Sequence, residues 1–119
     1  MSTVSLAKWN RYIQSQPSIH LLQTGEWGEL KAAFGWKPIR IVSETLGVQI
    51  LFRKLPFGFT VGYIPKANFA LSLWPEIDSV CKQNHAIFLK LERDAWQGEN
   101  LPQITNYSLL IVVISIYVF

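Results

Sequence analysis

A short proline–glycine turn between two β-rich runs constrains this chain more than any other feature. The turn is Pro56-Phe57-Gly58, and the flanking runs are 48–52 and 59–64. A proline and a glycine one residue apart between two such runs predict a β-hairpin. Pro65 has no N–H to give to a sheet ladder, so the second strand is predicted to end there, with Lys66 at its carboxyl end. The second run has the two-residue period of a strand. One side would carry Phe59, Val61 and Tyr63, and the other Thr60, Gly62 and Ile64.

Two helices and a further strand are predicted before the hairpin. Ser5 is a candidate N-cap for the first helix, whose apolar face would be Leu6, Trp9 and Ile13. A strand is predicted over 39–43, followed by a turn at Thr45-Leu46-Gly47.

The second helix is predicted to begin at the N-cap Thr24 and to stop near Gly35. An apolar stripe of Trp27, Leu30 and Phe34 is expected on one side of it, with Lys31 on or beside the stripe. Lys31 then has two interpretations. It is either a lysine whose stem covers apolar surface while its ammonium reaches water, or a cation held on a rigid base for an anionic group.

A helix and a strand are predicted after the hairpin. Ser72 is a candidate cap, Pro75 is tolerated in the first turn, and the strand covers 86–92. The strand–helix–strand order implies a parallel pair joined by a right-handed crossover. Lys66 and Glu92 would then emerge at the same edge, where open α/β sheets bind ligands. The alternatives are a structural ion pair or two unrelated surface charges. The predicted helix buries one apolar face, made of Leu73, Ile77, Val80 and Cys81.

Composition limits the chemistry that the chain can carry. Its 119 residues fit one domain with a real core, and a net charge of +3 suits a phosphate-bearing partner without requiring one. The single Cys81 excludes an internal disulfide and is expected to be a small buried apolar group. His20 and His85 stand alone, so neither a catalytic triad nor a metal site is predicted. Nothing near Met1 is typical of a signal peptide, which favours a cytoplasmic protein.

The end of the sequence is apolar in an unusual way. Glu99 is the last charged residue, and the 13 residues 107–119 are apolar except for two serines. This run is shorter than the ~20 residues of a membrane-crossing helix, and its β-branched content favours a strand. Contact of the 107–119 tail with the inner face of a membrane is left open as an alternative.

Three stretches resemble the FemABX family of peptidoglycan bridge-forming aminoacyltransferases. The stretch 51–66, LFRKLPFGFTVGYIPK, is similar to that family's FRxLPxG and YIPKGP segment. The stretch 20–36 resembles its LLQxxxWgelKaxfGW signature, and 86–92, AIFLKLE, resembles its AvFLkiEP strand. The three lie in the family order. The chain departs from the pattern at Ala67-Asn68, where Gly-Pro is usual, and at Arg93, where proline is usual.

The resemblance implies a fold, a reaction and a site. The fold would be α/β (or α+β), a mixed sheet with flanking helices forming part of a GNAT-like (acyl-CoA N-acyltransferase-like) domain in residues 1–96, with 97–119 an atypical tail. The reaction would move an amino acid from aminoacyl-tRNA, as co-substrate and with no other cofactor, to the peptide stem of a lipid-linked or nucleotide-linked cell-wall precursor. Lys31, Lys66 and Glu92 would bind substrate, and no catalytic side chain is identified.

We expect the chain itself to be an incomplete and inactive part of such an enzyme. Transfer from an activated ester to an amine can rest on positioning and oxyanion stabilisation, which explains why no nucleophile–base pair is found. Three alternatives remain: a non-catalytic remnant, a small membrane-associated protein, and another GNAT-fold N-acyltransferase. The last would need a glycine-rich loop opening a helix for a pyrophosphate, and the sequence has none.

Overall fold

A single mixed sheet carries the other elements of the fold. The computed structural model describes residues 3–16, 19–44, 46–67, 73–93 and 111–116, and only the backbone of 66, 67, 92, 93 and 111–116. Six strands follow one another across the sheet in chain order, with β1 to β4 antiparallel and β4 to β6 parallel. They are β1 (Thr3–Val4), β2 (Trp36–Ser43), β3 (Leu46–Lys54), β4 (Thr60–Ala67), β5 (Ala86–Arg93) and β6 (Ile111–Ile116).

The predicted hairpin joins β3 to β4 and is confirmed. Its ladder runs from Leu51 opposite Tyr63 to Lys54 opposite Thr60. The turn residues 56–58 form one turn of 3-10 helix, closed by a hydrogen bond of 2.8 Å from the Leu55 N–H to the carbonyl oxygen of Phe59.

The prediction that Pro65 ends its strand is wrong, because β4 continues to Ala67. The ladder with β3 stops at Tyr63, and the ladder with β5 shifts register between Ile64 and Ala67. Pro65 therefore lies at an irregularity of the sheet, where a missing N–H breaks no regular ladder.

The turn predicted at Thr45-Leu46-Gly47 is also misplaced. Ser43 pairs directly with Leu46, so Leu46 and Gly47 belong to β3 and the turn lies at 44–45. Thr45 is outside the described residues. Strand β2 begins three residues earlier than predicted, and Pro38 is tolerated in it because the short β1 reaches only Arg40 and Ile41.

One face of the sheet packs on helix α3 (Trp74–Gln83), which is the predicted crossover between the parallel strands β4 and β5. Leu73 is its N-cap residue and Pro75 lies in the first turn, whereas Ser72 is outside the described residues. The predicted apolar face of α3 is confirmed. The core on this side also takes residues from four strands: Ile41, Val48, Ile50, Phe52, Ile64, Leu89 and Leu91, all at most 2% exposed.

The opposite face is covered at one end by α1 (Leu6–Gln14), a 3-10 turn (Leu21–Gln23) and α2 (Gly25–Ala32). The predicted caps are confirmed, since Ser5 accepts from the Lys8 N–H and Thr24 from the Trp27 N–H. Trp9 is fully buried, and its indole N–H donates to the carbonyl oxygen of Gln23 at 3.0 Å.

The apolar stripe predicted for α2 does not face a core. Leu30 is 48% exposed and Phe34, which follows the helix, is 68% exposed. The buried positions of α2 are Gly25 and Gly28. Glycines let this helix approach a layer of polar side chains on β2 and β3, so the large apolar residues are turned outward.

Part of the apolar tail forms a strand, as its β-branched content predicts. Ile111–Ile116 is β6 and pairs in parallel with β5, from Phe88 opposite Ile111 to Arg93 opposite Ile116. The division of the chain at 96/97 stays a prediction, because 94–110 lie outside the described residues. Within the described ranges no helix is long and apolar enough to cross a membrane.

Candidate functional site

Lys31 lies in the last turn of α2 and faces two indole rings. Its Nζ is 5.3 Å from the ring centroid of Trp27 and 5.9 Å from that of Trp36, the first residue of β2. Cations within about 6 Å of an aromatic face are attracted by the ring quadrupole. The ammonium is therefore held in place and half-buried, more constrained than a lysine that simply reaches into water.

The aromatic and cationic contacts continue across the sheet from Trp36. The Arg53 guanidinium lies 5.6 Å from the Trp36 ring, and the rings of Trp36 and Tyr63 are 6.4 Å apart. Lys90 Nζ lies 5.7 Å from the Tyr63 ring. The ladder explains this order, since Trp36 pairs with Arg53 and Tyr63 pairs with Lys90. We call these five residues, Lys31, Trp36, Arg53, Tyr63 and Lys90, the basic-aromatic strip.

The strip concentrates three positive charges and lies on the sheet face that α3 does not cover. Arg53 follows the core residue Phe52, and neighbouring positions of a strand point to opposite faces. Trp36 is the cross-strand partner of Arg53 and therefore shares its face. The nearby carboxylate of Glu29 is already engaged, at 3.1 Å from the guanidinium of Arg40. An anionic group placed against the strip would meet cations and aromatic rings without displacing that ion pair.

Trp27, one of the two rings that Lys31 faces, also has a buried indole N–H. Its indole N–H is buried and finds no hydrogen-bond acceptor among the described residues. A buried donor without a partner costs free energy comparable to a lost hydrogen bond. This donor belongs to the ring that lies beside the Lys31 ammonium.

A buried polar network fixes α2, and with it Lys31, on the sheet. Arg40 donates from Nε to Gln49 Oε1 at 2.8 Å, and Gln49 Nε2 donates to the carbonyl oxygen of Thr24 at 3.0 Å. Gln49 is fully buried and Arg40 is 7% exposed. Glu29 on α2 completes the set through its ion pair with Arg40.

Gln23 inserts between β3 and β4 where their ladder ends. Its Oε1 accepts from the Gln49 N–H at 2.9 Å, and its Nε2 donates to the carbonyl oxygens of Pro65 at 2.6 Å and Gln49 at 3.2 Å. The glutamine thereby replaces the strand pairing that β4 loses after Tyr63. It fixes the backbone immediately before Lys66.

Lys66 and Glu92 lie near the carboxyl ends of two neighbouring parallel strands, as predicted. Their backbone positions fall between the pairs Ile64–Leu91 and Ala67–Arg93. Their side chains are outside the described residues, so an ion pair or a shared ligand stays a prediction.

The structure does not bring Lys31 to Lys66 and Glu92. Lys31 contacts Trp36 at the hairpin end of the sheet, where Arg53 pairs with Val61. Lys66 is five residues further along β4, which is about 16 Å at ~3.3 Å per residue. Lys31 therefore lies near the hairpin end of the sheet. The backbone of Lys66 and Glu92 lies near the other end, beyond the strip residues Tyr63 and Lys90.

The two histidines lie in a helix cap and a turn, and the cysteine lies in the core. His20 Nδ1 accepts from the Leu22 N–H at 3.1 Å, and His85 occupies a turn with φ 57°. Burial, with a smaller contribution from the Asp78 carboxylate, raises the pKa of the Cys81 thiol to about 12. The thiol is thus protonated at neutral pH and is no nucleophile. The described residues contain no group of His, Cys, Asp and Glu side chains that could hold a metal ion.

Comparison with solved structures identifies a similar fold. A crystal structure of FemX matches with a TM-score of 0.57 and 25% sequence identity, over 73% of this chain and 26% of that chain. The chain thus has the fold of part of FemX and spans about a quarter of its length. No family model and no curated protein sequence matches the chain.

Proposed function

We propose that this FemX-like chain forms the acceptor-binding part of a peptidoglycan aminoacyltransferase. The observation that supports the proposal is the position of Lys31, whose ammonium lies beside two indole rings. One of these, Trp27, has a buried N–H with no acceptor in the part of the chain that the structure describes. Such a group suits an anionic part of a cell-wall precursor, which is either lipid-linked or nucleotide-linked. Charge-assisted hydrogen bonds of this kind are the stronger ones in proteins.

The rest of the strip would orient the acceptor along the sheet. Arg53 and Lys90 each lie over an aromatic ring, so both cations are pre-positioned and less of their side-chain freedom is lost on binding. Lys66 and Glu92 follow at the far end, and there they would contact a more distant part of the same acceptor. Aminoacyl-tRNA is the proposed co-substrate.

Transfer would then depend on position more than on a reactive side chain. An amine of the acceptor attacks the ester carbonyl of the charged tRNA and forms an amide bond. The C–O bond to the tRNA ribose breaks, and the proton lost by the amine ends on that ribose oxygen. Holding the two reactants in line can supply much of the rate enhancement.

Lys31→Ala is the direct test of acceptor binding. The variant should bind a nucleotide-linked muropeptide more weakly by about 1.5–3 kcal/mol, the range for hydrogen bonds to charged groups. Calorimetric titration of the 119-residue protein measures this difference. The matched control is Lys8→Ala on α1, an exposed lysine outside the strip, which should bind as the unmodified chain does. Equal affinity of both variants and the unmodified chain would leave Lys31 a structural lysine.

We expect binding without turnover from this chain alone. Positioning requires groups on both sides of the reacting centre, and the chain matches only 26% of the FemX chain. Transfer of a labelled amino acid from charged tRNA to the precursor should be at background level. Turnover by the purified chain would show that the strip and its neighbours suffice for catalysis.

A further inference from the structure

The β3–β4 turn carries an aromatic side chain that the fold does not use. Phe57 is 95% exposed and has φ 69°, in the left-handed region that favours glycine or asparagine over bulky residues. Neither packing nor backbone preference within this chain explains a phenylalanine at that position. Two more exposed rings lie at the same end of the sheet, Phe59 at 46% and Phe34 at 68%.

Three positively charged residues lie at the same end of the sheet. An open cleft of ≈ 820 Å³ at this end is lined by Lys37, Arg53 and Lys54 together with Phe59, and none of the described residues that line it is acidic. All three cations are exposed. We call the rings Phe34, Phe57 and Phe59 and the cations Lys37, Arg53 and Lys54 the hairpin edge.

The arrangement of the hairpin edge fits a lipid surface better than a nucleic acid. Phe57, in the turn, is the most exposed of the three rings, whereas the three cations belong to the strands β2 and β3. The phenylalanine side chain offers no polar atom to a base or a phosphate. Its transfer from water to the interfacial region of a bilayer is favourable. Lysine and arginine beside an anionic leaflet are attracted by its negative surface potential.

We propose that the hairpin edge docks on a membrane surface that contains anionic lipids. Phe57 enters the interface, and Lys37, Arg53 and Lys54 face the headgroups. The hairpin edge includes no residue of the 107–119 tail and shares only Arg53 with the basic-aromatic strip.

Co-sedimentation of the full 119-residue chain with lipid vesicles tests the proposal. The vesicles are phosphatidylcholine with and without phosphatidylglycerol. We expect Phe57→Ser to lower the partition coefficient on the anionic vesicles about tenfold, from the loss of one buried aromatic ring. A double variant with Lys37→Ser and Lys54→Ser should lower the partition coefficient at least tenfold. Added salt should also lower the partition coefficient of the unmodified chain.

Matched controls lie at places remote from the hairpin edge. Leu21 is 66% exposed in the 3-10 turn near Pro65, and Lys8 is exposed on α1. Leu21→Ser and Lys8→Ser should bind vesicles as the unmodified chain does. Unchanged thermal unfolding of every variant shows that the fold is retained.

Three results would overturn the proposal. The first is no binding of the unmodified chain to anionic vesicles. The second is binding that the hairpin-edge variants leave unchanged, which would assign the contact to another part such as the tail. The third is a result in which the hairpin-edge variants bind single-stranded RNA more weakly than the unmodified chain but bind vesicles equally well. That result would identify the hairpin edge as a nucleic-acid surface.

Discussion

Replacing Gln23 with leucine is expected to lower the free energy of unfolding by about 3 kcal/mol, because buried groups lose their partners. The side chain is 2% exposed and bonds to the Gln49 N–H and to the carbonyl oxygens of Gln49 and Pro65. Leucine has a similar volume and no polar atom, so the Gln49 N–H and the Pro65 carbonyl would be left buried and unpaired. Chemical denaturation followed by tryptophan fluorescence measures the loss.

The matched control for Gln23 is Gln14, an exposed glutamine at the end of α1. Gln14→Leu should change the free energy of unfolding by no more than about 0.5 kcal/mol, as is usual for surface substitutions. Similar values for the two variants would contradict the assignment of Gln23 as the residue that joins β3, β4 and the 3-10 turn.

Replacing Gly28 with alanine is expected to destabilise the protein by about 2 kcal/mol, although alanine is the better helix former by about 1 kcal/mol. A Cβ at position 28 would lie 2.7 Å from Arg40 Nη2 and 2.9 Å from Gln49 Cδ. Both side chains are buried and held by hydrogen bonds, so they cannot move aside without breaking the network. Helix α2 would have to lift away from the sheet.

The Gly28 variant should also weaken acceptor binding, because Lys31 lies on the same helix. Ala32→Leu is the control, since position 32 is exposed on α2 and should tolerate the larger side chain. Both free energies of unfolding come from denaturant titration. A Gly28→Ala protein as stable as the unmodified chain would mean that α2 does not depend on close packing at this glycine.

The elements with local sequence signals were predictable. The proline–glycine turn specified the hairpin, the spacing of Leu73, Ile77, Val80 and Cys81 specified the buried face of α3, and the strand–helix–strand order specified the parallel pair. Each of these follows from backbone preference or hydrophobic period within a few residues.

Features set by neighbouring strands could not be read from the sequence. The outward direction of Leu30 and Phe34 follows from the polar layer beneath α2, which is made by Arg40 and Gln49 on other elements. The continuation of β4 past Pro65 follows from the end of its ladder with β3 and from the bond to Gln23.

The candidate site was found in part. Lys31 came from its helix position and the family resemblance, whereas Trp36, Arg53, Tyr63 and Lys90 each lie on a different strand, from β2 to β5. Only the register brings these four side chains together. The one sequence signal of Arg53, Tyr63 and Lys90 is that each adjoins a core position, which many surface residues do.

The central claim is that the basic-aromatic strip binds the anionic part of the acceptor. The most direct measurement is a titration of the ¹⁵N-labelled chain with a nucleotide-linked muropeptide, followed by amide and indole chemical shifts. We expect the largest changes at the indole N–H groups of Trp27 and Trp36 and at the amides of Lys31, Arg53 and Tyr63. Changes confined to 64–67 and 91–93, or no changes at all, would contradict it.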